Sequence, residues 1–229
     1  MAKIVSAREA ASLISDGMTV MFGGFMGCGN AHKVIGALAK SGVKDITMIC
    51  NDASMPDGPD GDEYYGVAKL IYGRQVKKLI TSHVGLNPEV AVQMNEGFLD
   101  VQLVPQGSLI EMIRAGGMGL GAILTPTGLG TIIEENEYVH GRIEIDGKTF
   151  LIKKPLRADV SVIGGYLADK YGNIWYKGSS RNFNQVMALA ADIVIAEADN
   201  LLQDGAIEPE NVMTPGILVD YITEGVANG

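Results

Sequence analysis

Short apolar runs alternate with helix-like runs along the first half of this chain, and that alternation narrows the folds open to it. Strand-like runs fall at 18–23, 45–50, 77–81 and 100–104, and helix-like runs at 31–40, 65–72 and 88–96. A further helix is expected from Ser6 to Ile14. Ser6 suits an N-cap, Ala7, Ala10, Ala11, Leu13 and Ile14 form an apolar face, and Asp16-Gly17 ends it. This order predicts an α/β fold: an open, mostly parallel twisted sheet with helices on both faces. Strand-like runs return at 159–164 and 192–197. Between the two sets the character changes, with glycines at 116, 117, 119, 121, 128 and 130. Two β-like runs follow, around 140–146 and 149–153, joined by Asp146-Gly147, which predicts a small β-hairpin region. With 229 residues, 47% of them hydrophobic, the chain can bury one large core, and residues 1–229 are expected to form a single domain.

In open parallel sheets, ligands bind beyond the carboxyl ends of the strands. Four loops fall there: the turn after residue 22, Asn51-Asp52, His83-Val84-Gly85 and Pro105-Gln106-Gly107. The first is the most informative stretch of the chain. Gly23-Gly24-Phe25-Met26-Gly27-Cys28-Gly29 places four glycines in seven residues at a strand-to-helix turn. Bare amide N–H groups at such a turn suit phosphate or developing negative charge, although sharp turning alone also explains glycines.

The charge is −9, with no basic stripe, which argues against a nucleic-acid partner. A phosphate-bearing ligand would need local dipoles or a basic partner chain. The two cysteines, Cys28 and Cys50, suggest neither a disulfide framework nor a zinc site, and Cys50 reads as a small core hydrophobe. His32, His83 and His140 lack metal-ligand spacing, so no metal is expected. No apolar run approaches a membrane span and the N-terminus lacks the apolar core of a signal peptide, so a soluble cytoplasmic protein is expected. The acidic stretch 55–63 lacks the closing glutamate of a calcium loop and reads as a solvated, flexible loop.

Catalytic groups are scarce. There is no Gly-x-Ser-x-Gly elbow. Glu134, Glu135 and Glu137 crowd within four residues, which favours a hydrated face over a desolvated nucleophile. Glu111 and Arg114 are spaced for a surface ion pair on a helix. A glycine-rich turn and a loop-rich rim without a covalent catalyst suit one half of an enzyme.

Residues 16–29, Asp-Gly-Met-Thr-Val-Met-Phe-Gly-Gly-Phe-Met-Gly-Cys-Gly, closely resemble the first signature of the family I (3-oxoacid) CoA-transferases. Ser82-His83-Val84-Gly85-Leu86-Asn87, Val104-Pro105-Gln106-Gly107-Ser108-Leu109, Ile113-Arg114-Ala115-Gly116-Gly117, Leu124-Thr125-Pro126-Thr127-Gly128 and Ser180-Arg181-Asn182-Phe183-Asn184 look like further segments of that family, in its order. The resemblance covers roughly residues 7 to 224. It is to the A (alpha) subunits, which act on short-chain acyl groups such as acetyl, butyryl and acetoacetyl. It implies transfer of CoA from an acyl-CoA to a free carboxylate by a ping-pong route. The nucleophile is implied to be a glutamate in a Ser-Glu-Asn-Gly motif on a B (beta) subunit, and this chain contains no such motif. A beta-subunit partner is therefore implied, in a hetero-oligomer. Coenzyme A enters as substrate, with no permanently bound cofactor.

The resemblance assigns the CoA-associated segment to Gly23, Gly24, Phe25, Met26, Gly27, Cys28 and Gly29, and the oxyanion-stabilising glutamine to Gln106. Read on the residues alone, Gln106 could equally satisfy backbone groups in a turn. The glycine turn could bind CoA directly or let its arm pass between subunits. Cys28 has no neighbouring His or Lys within the turn to activate it. Arg181 could face a ligand carboxylate, but Asn182-Phe183-Asn184 suits helix capping, which makes 181–184 a structural segment. Two features depart from the family pattern. Ala31 stands where a proline is usual, and the 55–63 loop is longer than expected. The alternative from another class is a non-catalytic module of related α/β fold that binds a sugar phosphate or other small metabolite.

Overall fold

A computed structural model of the protein describes residues 1–59, 61 and 63–225. Its elements, in chain order, are β1 (Lys3–Ile4), α1 (Ala7–Ala11), β2 (Thr19–Phe22), α2 (His32–Ala39), β3 (Ile46–Cys50), α3 (Ala68–Tyr72), β4 (Val76–Thr81), α4 (Pro88–Asn95), β5 (Asp100–Leu103), α5 (Gln106–Gly117), β6 (Ile123–Thr125), β7 (Val139–Ile145), β8 (Lys148–Lys153), β9 (Ala158–Asp169), β10 (Ile174–Trp175), α6 (Asn184–Met187), β11 (Ala191–Leu202) and β12 (Tyr221–Glu224). The large sheet has the order β1-β12-β11-β9-β2-β3-β4-β5, and all these neighbours are parallel. Strand β10 adds antiparallel to β9.

Its central strands are buried on both faces, so they read as continuous apolar runs. In β2, Val20 and Phe22 face one core, with Ile35 and Leu38 of α2 and Leu70 and Ile71 of α3. Met21 faces the other, with Leu109, Met112 and Ile113 of α5 and Met187 of α6. Helices therefore cover both faces, as the alternation predicts. Helix α1 carries a reciprocal cap: the Glu9 amide donates to Ser6 Oγ (3.2 Å) and the Ser6 amide to Glu9 Oε2 (2.8 Å). It ends at Ala11, earlier than expected, where Ser12 Oγ turns back to the Glu9 carbonyl.

Helix α5 contains the expected helical pair Glu111 and Arg114 but extends beyond it in both directions, over glycines that read as loop. Gly116 and Gly117 are there for contact: a Cβ at the first would strike the Leu156 carbonyl, and at the second Leu189. The predicted hairpin is β7–β8, with Asp146 (φ +51°) and Gly147 (φ +71°) both in the left-handed region, as a type I′ turn requires. Strand β6 joins it to give a three-stranded antiparallel sheet of order β6-β8-β7. The ends of the acidic loop are tied by the bridge between Pro56 and Tyr64, while Asp60 and Asp62 lie outside the described residues. No helix among the described residues is long and apolar enough to cross a membrane.

The order of strand addition reverses at the centre of the sheet. From β2 the chain proceeds outward through β3, β4 and β5, whereas β9, β11 and β12 build out the other side. The crevice beyond the β2 and β9 carboxyl ends is thus a topological switch point, where an open α/β sheet takes its ligands.

Candidate functional site

The glycine turn leaves β2 at this crevice. Phe25 and Cys28 close a tight hairpin through reciprocal backbone bonds of 3.0 and 2.9 Å. Its tip residues, Met26 (φ +49°) and Gly27 (φ +84°), both need positive φ. The exposed amides expected of the turn are mostly engaged. Gly23 donates to the Val162 carbonyl, Gly24 to Asn182 Oδ1 (3.1 Å) and Met26 to Asp52 Oδ1 (2.9 Å). Among the described residues, only the Gly27 and Gly29 amides of this segment lack an acceptor.

Side chains fill the space the glycines leave. A Cβ at Gly23 would collide with Asn184, at Gly24 with Asn30, and at Gly27 with Tyr65. Asn184 is fully buried; its Oδ1 accepts from the Gly164 amide (3.0 Å) and its Nδ2 donates to the Gly29 and Ser180 carbonyls (2.9 and 2.8 Å). Asn182 Nδ2 reaches the Cys28 carbonyl (3.1 Å). The 182–184 segment therefore buttresses the turn. This corrects the capping expectation in part: Asn184 is the first residue of α6, and its side chain spans to β9 and the turn instead of capping the helix.

The other three rim loops join this turn. The Met26–Asp52 bond links it to the loop after β3, Asp52 bridges to His83 after β4, and Gln106 Nε2 donates to Asn51 Oδ1 (2.8 Å). Ser82 Oγ donates to the same Oδ1 (3.0 Å) and to the Asn51 carbonyl (2.6 Å). With Asn51 Oδ1 accepting one N–H, the Gln106 amide is anchored at the rim, and its second N–H remains to donate. Asp52 is buried, and burial raises its carboxyl above the usual range against the Met26 and Ser54 amides and the His83 charge.

The hairpin divides two clefts. One, of about 350 Å³, is lined by Phe25, Asn51, Gln106, Ile110, Asn182 and Phe183 among others, and among the described residues no charged side chain lines it. Gln106 and Phe25 thus meet there. The other, of about 830 Å³, takes Met26, Gly27, Cys28 and Gly29 on one wall and Lys177, Glu197 and Asp199 on another. Sequence reasoning brought none of those three charged residues to the site. Each sits on or beside a strand that becomes adjacent only through the sheet order. Glu197 of β11 is 5% exposed and caps α2, accepting from the Lys33 and Val34 amides (3.1 and 2.9 Å). Burial pushes its carboxyl up to about 7, against those amides and the Lys33 charge. Ala31 gives α2 no side-chain cap, so Glu197 supplies from across the sheet what the local sequence lacks.

The remaining candidates lie elsewhere. Glu134 accepts from the Gly130 amide and pairs with Arg142, Glu137 pairs with Lys78, and Glu111 pairs with Arg114 at 3.1 Å. Cys28 Sγ lies 3.5 Å from Ser179 Oγ, and Cys50 is buried, which pushes its thiol up. Arg181 Nε donates to Gln185 (2.8 Å). Among the described residues, no group of three or more His, Cys, Asp or Glu side chains is arranged to hold a metal ion.

Residues 4–225 match the family described as Coenzyme A transferase. The chain is 46% identical over 220 residues to the acetate CoA-transferase subunit alpha of Escherichia coli K12, covering 96% of both chains. It is 45% identical over 222 residues to the acetoacetyl-CoA:acetate/butyrate CoA transferase alpha subunit of Clostridium acetobutylicum, covering 97% of both. Among solved structures it superposes on the acyl-CoA transferase YdiF of E. coli O157:H7, in its thioester complex with CoA, with a TM-score of 0.85 at 21% identity. That match covers all of this chain but 49% of the other, so the chain spans about half the length of that protein. Glutaconate coenzyme A-transferase of Acidaminococcus fermentans superposes with a TM-score of 0.83 at 16% identity, covering 97% of this chain and 75% of that one.

Proposed function

The chain belongs to the coenzyme A transferase family, and from that premise we propose that it is the alpha subunit of a two-subunit enzyme moving CoA between a short-chain acyl-CoA and a free carboxylate. The observation that carries the reading is the cleft holding Gln106: a donor oriented by Asn51, with no carboxylate among the described residues that line the cleft. A glutamate of a beta subunit would attack the thioester carbonyl there, giving an acyl-glutamyl anhydride and free CoA thiolate. The thiolate would return to the glutamyl carbonyl, form the glutamyl-CoA thioester and release the first carboxylate. The incoming carboxylate would reverse the sequence.

Each addition puts negative charge on a carbonyl oxygen, and preorganised donors facing that oxygen lower the barrier. The free N–H of Gln106 is suited to that task, since a neutral amide stabilises the oxyanion without protonating the nucleophile. Gly23 to Gly29 would form the wall along which CoA lies, with the Gly27 and Gly29 amides left to donate. Acetyl, butyryl and acetoacetyl groups are the expected cargo, residues 1–229 would act as one domain, and the cytoplasm, where CoA thioesters are made, is the expected location. Against the sugar-phosphate-binding alternative stands the match to the coenzyme A transferase family over nearly the whole chain.

The test is to purify the chain alone and together with a beta subunit carrying Ser-Glu-Asn-Gly, and to assay CoA transfer across short-chain acids. Turnover is expected only from the mixture. Turnover by the chain alone would sink this division of labour.

A further inference from the structure

The small sheet leaves β7 at an open edge, since in the order β6-β8-β7 it pairs with β8 alone. Asp146-Gly147 is a two-residue turn, so Ile145 and Lys148 form its closing hydrogen-bonded pair. Counting back, Ile143 also bonds towards β8, and the backbone groups of Glu144 and Arg142 point outward. Among the described residues nothing receives them. A bulge between Val139 and Gly141 bounds the regular part of the strand at one end and the turn bounds it at the other. Ile143 (39% exposed) and Ile145 (41%) share a face with Leu124 (44%), while Arg142 and Glu144 lie on the opposite face. Such an edge is a template for another strand.

The charge pattern says which strand. A two-fold antiparallel pairing must place outward-bonding residues opposite one another, which admits registers centred on residue 142, 143 or 144. The first sets Arg142 against Arg142 of the second copy, and the third sets Glu144 against Glu144. The register centred on Ile143 sets Arg142, which also pairs with Glu134 of its own chain, against Glu144 twice, and Ile143 against Ile143. Opposite charges across strands stabilise a pair and like charges disfavour it. We propose that β7 docks on β7 of a second copy of this chain in that register, joining two small sheets into one of six strands. No residue of β7 lines either cleft, so the proposal stands apart from the catalytic reading.

The experiment uses exposed charge-reversal variants of the full chain, followed by sedimentation velocity. Wild type is expected to dimerise. Arg142→Glu alone sets acid against acid and Glu144→Arg alone sets base against base, so each is expected to be monomeric. Their equimolar mixture restores both pairs and is expected to dimerise, a result that misfolded variants would not give. As a second measurement, Ile143→Cys treated with diamide is expected to cross-link to itself. Ile145→Cys, which would face Gly141, and wild type, which controls for Cys28, are expected to remain uncross-linked. A wild-type chain that stays monomeric, a mixture that does not associate, or equal cross-linking at 143 and 145 would each overturn the proposal. So would a β7 edge covered by the beta subunit with no self-association.

Discussion

Gln106 shows how much of a residue's role its own neighbourhood fixes. Its amide is held by Asn51, which Ser82 holds in turn, so the side chain is oriented before substrate arrives. Gln106→Ala is expected to lower turnover of the assembled enzyme by about 10²–10³-fold, or about 2.7–4 kcal/mol, with subunit assembly and CoA affinity retained. Gln106→Glu should be at least as harmful, because its carboxylate would face Asn51 Oδ1 and repel the oxyanion. Steady-state rates and trapping of the glutamyl-CoA thioester check both. Loss of assembly instead would mean that Gln106 holds the turn and not the transition state. Glu197 carries a different prediction. Its folded carboxyl titrates at about 7 against an ordinary 4.5, so the folded chain binds the extra proton between those values. Stability from this group is present below pH 4.5 and falls as pH rises to about 7, by about 3 kcal/mol. In Glu197→Gln that part of the pH dependence should disappear from thermal unfolding curves recorded across this window; an unchanged slope would contradict it.

At the scale of elements, the glycine hairpin is a packed object held from outside. Gly24 has φ +115° and its Cβ position is occupied by the Asn30 amide. Gly24→Val adds backbone strain of about 1–3 kcal/mol and displaces Asn30, so unfolding temperature and transferase activity should fall together. Activity that falls without loss of stability would instead point to a blocked CoA path. Asn184→Ala removes the acceptor of the Gly164 amide and the donor to Gly29 and Ser180, and should also loosen the turn. The strands β2 to β5 and helices α2 to α4 were legible because their apolar runs are continuous or periodic. Helix α5 was legible only around Glu111 and Arg114, since Gly107, Gly116 and Gly117 at its ends have the composition of a loop, and only the close approach of Leu156 and Leu189 explains the last two. The edge strand β1, two residues long, is too short to register as a run.

The whole molecule joins a large parallel sheet to a small antiparallel one, and Lys153 lies at that junction. It is 1% exposed, on β8, and its Nζ has Ser108 Oγ of α5 at 3.2 Å with no carboxylate beside it. Burial lowers its ammonium below the ordinary 10.5. The folded chain therefore binds fewer protons than the unfolded one, and stability is lost as pH falls below that ordinary value. Lys153→Met keeps the apolar stem and removes the charge, so it should raise the unfolding temperature by a few degrees. The gain should grow as pH is lowered, in a calorimetric series; a destabilised variant would mean that the Ser108 contact outweighs the burial of charge.

By itself the sequence determined the α/β class, the hairpin at Asp146-Gly147, the loops at the carboxyl rim and the resemblance that points to CoA transfer. These depend on periodicity, turn chemistry and motifs, all of which are local along the chain. Tertiary structure decided the rest. Asn182 and Asn184 reach the glycine turn from over 150 residues away, Glu197 caps α2 across the sheet, and the hairpin separates the Gln106 cleft from the larger one. Each of these follows from β9 lying beside β2 and β11 beside β9, a choice of strand order made by packing both faces of the sheet at once and written in no single segment.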